Sequence, residues 1–264
     1  MAQKVSVRPT IIMVHGFRGT HHGLQLIADN LRGFRVLVPD LPGFAEGDSL
    51  ITHDLRSYVE WLEKYIKQQK LTEPPILLGH SFGSIVSAAY AAQYPKTIGK
   101  LILVNPIGAP ALEGPRGLLT KLAIFYYWVG KKLPNSFAQK WLASNLVVMI
   151  MSTTMAKTKD KKLRAFIHDQ HRRYFSLFHS AKSVSEGFKT SVSHTVRDFA
   201  PKIKLPTLLI AGDQDDITPL AKQKELQKLF PDARLKVIEN VGHLTHYETP
   251  EQVAAFVQAF TKSS

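Results

Sequence analysis

The sequence Gly79-His80-Ser81-Phe82-Gly83 joins an unbroken apolar run at residues 75–78 to a helical pattern at residues 81–94. An apolar run without polar alternation is typical of a strand that is covered on both faces. A sharp turn from such a strand into a helix lifts the serine hydroxyl above the sheet, and glycines are needed where side chains would clash. The segment therefore predicts a nucleophilic serine. The competing interpretation is a glycine-rich turn with an incidental serine.

Five more apolar runs lie along the chain, and most are separated by helical patterns. Strands that alternate with helices form a parallel sheet with helices on both faces. For the helix after the fifth run, Thr218 is the predicted N-cap. The predicted strands lie at residues 11–14, 34–38, 75–78, 101–104, 205–211 and 234–238, and the predicted helices at 22–31, 52–69, 81–94, 220–230 and from about 250 onwards.

One interval interrupts this alternation. About a hundred residues separate the fourth predicted strand from the fifth, far more than a simple crossover needs. The interval is helix-like, basic and rich in aromatic residues. We therefore predict a core formed by residues 1–107 and 197–264, with a helical cap at residues 108–196 inserted between its two parts.

Composition excludes several classes of protein. Of 264 residues, 44% are hydrophobic and 21% charged, which is typical of a globular protein and not of a disordered one. Cysteine is absent, which excludes disulfides, thiolate metal sites and a cysteine nucleophile. The net charge is 34 − 21 = +13, and residues 107–200 alone contribute 15 − 5 = +10. The positive charge is therefore concentrated in the predicted cap.

Neither an export signal nor a membrane span is apparent in the sequence. Residues 1–9 lack the apolar core of a signal peptide. The longest apolar candidate, residues 118–129, is interrupted by Thr120 and Lys121 and is shorter than the roughly eighteen residues that a span requires. These features predict a cytoplasmic protein.

A serine hydroxyl needs a base to become a good nucleophile, and the base needs an acid to orient it. Candidates for both follow later strands: Asp213, Asp215 and Asp216 come after the fifth, and His243 after the sixth. The chain order is then Ser, Asp, His, and strand position alone leaves the choice among the aspartates open. The spacing of the eleven histidines does not resemble a metal site.

Five motifs lie outside the predicted cap: His15-Gly16-Phe17-Arg18-Gly19, Pro39-Asp40-Leu41-Pro42-Gly43, residues 79–83, Gly212-x-x-Asp215-x-x-x-Pro219 and Gly242-His243-x-x-x-x-Glu248-x-Pro250-Glu251. Together they resemble the α/β-hydrolase fold family, in its serine branch with an inserted helical lid. The resemblance implies an α/β fold with a mostly parallel sheet of about six to eight strands, flanked by helices. The cap would follow the strand that ends at Val104. Residues 5–8 are a candidate for a short extra edge strand.

The resemblance also implies a role for each motif residue. In that family the acid is the aspartate of G-x-x-D-x-x-x-P, here Asp215, and the base follows the last strand, here His243. Ser81 is the nucleophile. The backbone N–H groups of Phe17 and Phe82 would form the oxyanion hole, and neither a metal nor a cofactor is needed.

Residues near these positions are candidates for the substrate pocket. Arg18, beside the predicted oxyanion hole, would either steer an anionic substrate or face solvent. Some members of the family place the acid after the preceding strand, where this chain has Asn105 and no carboxylate. The candidate pocket residues are His15, Gly16, Arg18, His80, Phe125, Trp128, Trp141 and His246.

The resemblance implies a serine hydrolase that cleaves a carboxylic ester through an acyl-enzyme intermediate. Epoxide hydrolases and haloalkane dehalogenases of this fold carry aspartate at the position of Ser81 and are excluded. The open alternatives are carbon–carbon bond hydrolysis of a vinylogous diketone, thioester hydrolysis, an interfacial lipase that uses the basic cap, and a non-catalytic ligand-binding protein. Carbon–carbon hydrolases often have a tryptophan soon after the histidine, where this chain has Leu244-Thr245-His246-Tyr247.

The predicted partner is a small ester or related acyl substrate. The apolar residues 118–129, followed by Lys131 and Lys132, favour weak contact of the basic cap with an anionic membrane. The plainer interpretation is a lid helix whose apolar face covers the pocket. No nucleic-acid motif accompanies the charge, so no nucleic acid is expected. The sequence does not determine an oligomeric state.

Overall fold

A computed structural model describes residues 8–110 and 117–262, with Leu118 and Leu119 described by their backbone alone. The strands in this part of the chain are β1 (Thr10–Val14), β2 (Arg35–Leu37), β3 (Ile76–His80), β4 (Lys100–Val104), β5 (Thr207–Gly212) and β6 (Ala233–Ile238). They pair in parallel in the order β2-β1-β3-β4-β5-β6. The predicted α/β fold is confirmed, with six strands, while most of the candidate edge strand at residues 5–8 lies outside the described residues.

Helices connect the strands. In the described residues they are α1 (His21–Asn30), α2 (Leu55–Gln68), α3 (Phe82–Gln93), α4 (Gly117–Lys132), α5 (Asn135–Leu142), α6 (Asn145–Met155), α7 (Lys161–Tyr174), α8 (Ala181–Ser193), α9 (Leu220–Gln227), α10 (Thr245–Glu248) and α11 (Pro250–Lys262). Two short 3-10 helices precede β5. We call α4 to α8, which follow β4, the cap helices; the domain boundaries at residues 108 and 196 stay a prediction. Among the described helices, none has the length and apolar character needed to cross a membrane.

Both faces of the sheet are covered, which explains why its central strands read as unbroken apolar runs. On β1, Ile12 and Val14 belong to a cluster with residues of α2 and α3, while Ile11 and Met13 belong to one with residues of α1 and α11. All four side chains are fully buried. Burying one such side chain contributes about 1.5–3 kcal/mol. The sheet is therefore a well-packed platform for the loops at its carboxyl edge.

The order of the strands reverses between β1 and β3. From β1 the chain adds β2 on one side and then returns to add β3 on the other. In open parallel sheets, ligands bind in the crevice at such a switch point, outside the carboxyl ends of the strands. The loop that follows β1 and the turn that follows β3 border this crevice.

Arg18 connects the loop after β1 to the cap helices through hydrogen bonds. Its side chain is buried, with only 1% of the residue exposed. Nε donates to the carbonyl oxygen of Phe175 (2.8 Å), Nη2 to that of Leu142 (2.9 Å) and Nη1 to the hydroxyl of Tyr127 (3.2 Å). The solvent-facing interpretation of Arg18 is wrong, because neutral oxygens of the cap enclose the guanidinium. The same enclosure withholds Arg18 from a substrate.

A second contact joins the cap helices to the loop region after β6. Ser152 Oγ of α6 lies 2.6 Å from His168 Nδ1 and 2.7 Å from His171 Nδ1, both on α7. The ring of His171 packs against Tyr247 of α10, with 5.7 Å between centroids. Burial lowers the pKa of His171 to about 4. This imidazole is therefore neutral in the folded protein near neutral pH.

We expect Arg18→Met to destabilise the protein, because it removes four hydrogen bonds from a charged donor, the three above and one from Nη2 to the hydroxyl of Ser176 (3.3 Å), and leaves buried acceptors unsatisfied. Hydrogen bonds to charged groups contribute about 1.5–3 kcal/mol each. The free energy of unfolding in guanidinium chloride should fall by about 3 kcal/mol or more. Arg56→Met is the matched control, because Arg56 is exposed and pairs with Glu60 on the same helix, and solvent screening makes such surface pairs contribute little to stability. Equal losses in both variants would contradict a structural role for Arg18.

His171 should make stability depend on pH. Its pKa falls from 6.5 to about 4 on folding, so between these values the unfolded chain binds a proton that the folded protein excludes. Its contribution to stability is complete above pH 6.5 and is lost as the pH falls toward 4, by up to about 1.4 kcal/mol per pH unit. His171→Gln should flatten the pH dependence of the unfolding free energy, whereas His179→Gln, at an exposed histidine, should not. Identical slopes in the wild type and both variants would refute this assignment.

Candidate active site

Ser81 occupies the turn between β3 and α3 in a strained backbone conformation. Its φ is +52° and its ψ −119°, angles that residues other than glycine rarely adopt. A Cβ at Gly83 would overlap the carbonyl oxygen of Val14, and one at Gly79 would overlap that of Gly83. The Ser81 N–H donates to the carbonyl oxygen of Val104 (3.0 Å). The glycines therefore allow a close-packed turn that leaves Ser81 half-buried and accessible.

Three residues from distant parts of the chain meet at this turn. His243, in the loop after β6, places Nε2 2.8 Å from Ser81 Oγ and Nδ1 2.8 Å from Asp215 Oδ2. Both His243 and Asp215 are buried. Because an ionised carboxylate only accepts hydrogen bonds, Nδ1 carries the proton and Nε2 is free to accept the one from the serine hydroxyl. The structure thus brings the predicted nucleophile, base and acid into one hydrogen-bonded line.

A shell of donors surrounds the Asp215 carboxylate. Oδ1 accepts the backbone N–H groups of residues 217 (2.8 Å) and 218 (2.9 Å), and Oδ2 accepts the side chains of Thr218 (2.5 Å) and Asn105 (2.8 Å). Burial alone would raise the pKa of Asp215, but the nearby His243 and these hydrogen bonds hold it well below its ordinary value. The predicted N-cap role of Thr218 is wrong, because its hydroxyl donates a hydrogen bond to the Asp215 carboxylate and α9 begins two residues later.

The two neighbouring aspartates point elsewhere. Asp213 Oδ1 accepts the backbone N–H of Val241 at 3.3 Å. The carboxylate of Asp216 pairs with the ammonium group of Lys157. Of the three aspartates that strand position left open, Asp215 alone is hydrogen-bonded to His243.

Asn105 belongs to the site although it has no carboxylate. It follows β4 with a left-handed φ of +45°, which asparagine tolerates better than most residues. Its Nδ2 donates to Asp215, and its Oδ1 accepts the hydroxyl hydrogen of Thr245 at 2.5 Å. Asn105 therefore links the acid to the segment that follows the base. Sequence reasoning gave it no role; the available signal was its place at the carboxyl end of a central strand.

Two backbone donors beside Ser81 lack partners. Within the described residues, neither the Phe17 N–H nor the Phe82 N–H donates a hydrogen bond. Phe82 is the first residue of α3, where N–H groups have no partner within the helix. The ring of Phe17 lies 6.4 Å from that of Phe82 and 5.8 Å from both Tyr127 and Phe188 of the cap. These four rings form an aromatic wall beside the loop after β1, to which Tyr127 and Phe188 contribute without having been predicted from the sequence.

His15 and Gly16, which precede Phe17, shape the loop after β1 and its approach to the turn that carries Ser81. His15 Nδ1 donates to the carbonyl oxygen of Gly16 (2.8 Å), and its Nε2 accepts the backbone N–H of Leu41 (2.8 Å). A Cβ at Gly16 would lie 3.2 Å from side-chain atoms of both His80 and Ser81. Gly16 therefore lets the loop after β1 approach Ser81 closely, and both ring nitrogens of His15 are already used in holding that loop.

His80 and His246 form a buried pair beside the loop that carries the base. Their ring centroids are 4.2 Å apart, and His80 Nε2 lies 3.4 Å from the carbonyl oxygen of His243. Burial lowers the pKa of His80 to about 3 and that of His246 well below its ordinary value. Both imidazoles are therefore neutral near neutral pH. Neither is hydrogen-bonded to Ser81, so their placement favours support of the loop over contact with substrate.

Three aromatic residues predicted for the pocket lie on the outer surface of the cap. Phe125 and Trp128 of α4 and Trp141 of α5 are exposed. The inner side of α4 is occupied by Tyr127, which is buried against Phe188 at 4.0 Å between ring centroids. The placement therefore does not support a pocket-lining role for the three, because their side of each helix faces away from the packed interior.

Comparison with known proteins agrees with this geometry. Residues 9–250 match the family model described as alpha/beta hydrolase fold. Lipase 1 of Psychrobacter immobilis is 26% identical over 262 residues, covering 95% of this chain and 76% of that protein. Monoacylglycerol lipase ABHD6 of Mus musculus is 25% identical over 270 residues, covering 97% of this chain and 76% of that protein. A solved structure of a thermophilic esterase from Thermogutta terrifontis has a TM-score of 0.79 at 22% identity and covers 96% of this chain and 89% of its own. Because the family model spans nearly the whole chain, this chain belongs to the alpha/beta hydrolase fold family and is a hydrolase of that fold.

Proposed function

We propose that the protein is a serine hydrolase that cleaves carboxylic esters through an acyl-enzyme intermediate. The observation that carries the proposal is the hydrogen-bonded line from Ser81 through His243 to Asp215, with 2.8 Å at both junctions. Such a line, beside two N–H groups that have no hydrogen-bond partner among the described residues, is the arrangement that acyl transfer requires. Relatives named lipases support ester cleavage over the other reactions of this fold.

Acylation begins at the Ser81 hydroxyl. His243 Nε2 takes the proton while Oγ attacks the ester carbonyl carbon, and the carbonyl π electrons move onto oxygen. The N–H groups of Phe17 and Phe82 stabilise this oxyanion; losing one such donor typically costs about 10²–10³ in rate. When the tetrahedral intermediate collapses, the ester C–O bond breaks and the alcohol leaves with the proton from His243.

Deacylation repeats the sequence with water. His243 removes a proton from a water molecule that attacks the acyl carbon, and the same two N–H groups hold the second oxyanion. The bond to Ser81 Oγ then breaks, Oγ regains its proton from His243, and the carboxylic acid departs. Throughout, Asp215 holds the Nδ1 proton and stabilises the positive imidazolium. The steps use only groups of the chain and water.

The surroundings of the oxyanion loop favour an apolar acyl group. In the aromatic wall, the rings of Phe17 and Phe188 are partly exposed and pack on the buried rings of Phe82 and Tyr127, so the surface offered there is apolar. Arg18, the nearest cation in sequence, is enclosed by the cap and is not available to pair directly with an anionic substrate. The partner we propose is therefore a small ester with an apolar acyl chain. The +10 charge of residues 107–200 adds weak contact with anionic membranes.

Hydrolysis of chromogenic acyl esters from short to long chains tests the proposal. Ser81→Ala should lower kcat by at least about 10⁴-fold, because it removes the nucleophile. A fluorophosphonate probe should label the wild type at one site and leave Ser81→Ala unlabelled. Ser193→Ala, at an exposed serine of the cap, should keep both signals. Esterase activity that survives Ser81→Ala would refute the serine mechanism, and inactivity of the wild type on every ester would favour carbon–carbon or thioester substrates.

The acid should be transferable to the end of β4. Asp215→Asn should lower kcat by about 10⁴-fold, because the base loses its correct tautomer. Asn105 Nδ2 lies 2.8 Å from Asp215 Oδ2, the oxygen that accepts the hydrogen bond from His243 Nδ1, so a carboxylate at residue 105 would lie next to the position that Asp215→Asn leaves without a charge. We expect the double variant, Asn105→Asp with Asp215→Asn, to be at least about tenfold more active than Asp215→Asn alone. A double variant as inactive as Asp215→Asn alone would show that residue 105 cannot reach the base.

A further inference from the structure

The cap carries an unusual exposed face on α4. Lys121, Phe125, Trp128 and Lys132 follow one another at intervals of four, three and four residues, which places them on one side of a helix. All four are exposed. The rings of Phe125 and Trp128 stack on each other at 5.9 Å between centroids instead of packing into the protein. Two large aromatic rings with a lysine at either end are thus presented to the surroundings.

Helix α5 extends this face. Phe137 and Trp141, four residues apart, lie on its exposed side together with Lys140. Two hydrogen bonds join the helices, from Trp141 Nε1 to the carbonyl oxygen of Tyr126 (3.1 Å) and from the Tyr126 hydroxyl to that of Trp141 (2.7 Å). We define the aromatic face as the exposed side chains of α4 and α5, with 59%, 55%, 65% and 42% of the residue exposed for Phe125, Trp128, Phe137 and Trp141.

Such a face indicates a binding surface. Aromatic side chains bury about 150–250 Å² each when covered, and contiguous exposed apolar patches of several hundred Å² mark interaction sites. Four rings on two hydrogen-bonded helices reach that scale. The tight anchoring of α4 through the buried Tyr127 and of α5 through the buried Leu142 shows that these helices are docked on the protein by their opposite sides.

The charge around the face identifies the kind of partner. Residues 117–156 contain four lysines, at positions 121, 131, 132 and 140, and no aspartate or glutamate. All four lysines are exposed. A second copy of the chain would bring this positive face, and a net charge of +13, against the same charge. A bilayer with anionic headgroups offers an apolar region in which the rings can be buried. It also offers phosphates that the lysine ammonium groups can reach when their alkyl chains extend toward water.

We propose that the aromatic face docks on the surface of an anionic phospholipid bilayer. Phe125, Trp128, Phe137 and Trp141 lie at the boundary of headgroups and acyl chains, and the four lysines lie at the level of the phosphates. The inference deepens the proposed function and rests on it for its purpose, since an ester with an apolar acyl chain resides in the bilayer. Tyr127, on the opposite side of α4, contacts Phe17. Docking therefore brings the membrane within about one helix diameter, roughly 10 Å, of the oxyanion loop.

Vesicle sedimentation tests the proposal on a Ser81→Ala background, which leaves the lipid intact and makes the result independent of the hydrolysis. The probe is vesicles of three parts phosphatidylcholine to one part phosphatidylglycerol. We expect the protein to pellet with them, to bind pure phosphatidylcholine more weakly, and to be released as salt screens the charges. Protein that stays in the supernatant with anionic vesicles at low salt would overturn the proposal even if ester hydrolysis is established.

Matched variants locate the contact. Phe125→Ser with Trp128→Ser should weaken partitioning at least about tenfold, whereas Ile51→Ser, at an exposed apolar residue before α2, should not. Lys121→Glu with Lys132→Glu should also weaken it at least about tenfold, whereas Lys224→Glu with Lys228→Glu, on α9 and at the residue that follows it, changes the net charge equally and should have a smaller effect. Thermal melting confirms that each variant is folded.

Two results would contradict the location. The first is equal loss of binding in test and control variants, which would make the attraction a property of net charge alone. The second is a dimer in the vesicle-free protein that Phe125→Ser with Trp128→Ser converts to a monomer, which would assign the face to a second copy of the chain.

Discussion

The buried guanidinium of Arg18 is the contact on which the relation between cap and catalytic loop depends. A cation removed from water must have its donors satisfied within the protein. Here the acceptors are the carbonyl oxygens of Phe175 and Leu142 and the hydroxyls of Tyr127 and Ser176, all on or between the cap helices. Because Arg18 directly follows Phe17, the bonds that satisfy its charge also fix the backbone at the proposed oxyanion donor. The cap is thus part of the loop's structure as well as a cover above it.

The sheet sets the other constraint, because it determines where the remaining groups can meet. Strands β3, β5 and β6 are parallel, so the segments that follow them emerge at one edge. Ser81, Asp215 and His243 are far apart in the chain, and only this pairing makes them neighbours. Asn105, at the end of the intervening strand β4, fills the space between them and holds the carboxylate by its amide. The proposed chemistry therefore depends on the order of the strands as much as on the identity of the three residues.

The parts of the fold and site that could be predicted are those encoded locally. The central strands are apolar runs, and Ser81, Asp215 and His243 each follow a strand within a few residues, in motifs that contain glycine. The burial of Arg18 could not be predicted from the local sequence, because its acceptors lie 109 to 158 residues away. Two of them are backbone carbonyls, which every residue possesses and which leave no mark in the sequence. The role of Thr218 was missed because a hydroxyl before a helix predicts a cap equally well.

Helix α4 shows why the aromatic residues of the cap were harder to assign. Residues 125–128 are four consecutive aromatics, and four consecutive residues point to all sides of a helix, so periodicity among them selects no inner face. The lysines indicate which side of α4 faces outward, because an ammonium group stays near water. Lys121 and Lys132 share a side of the helix with Phe125 and Trp128, so that side is the outer one. The inner side then belongs to Tyr127, whose hydroxyl meets Arg18. One helix therefore carries on its inner side the contact with the oxyanion loop and on its outer side the aromatic face.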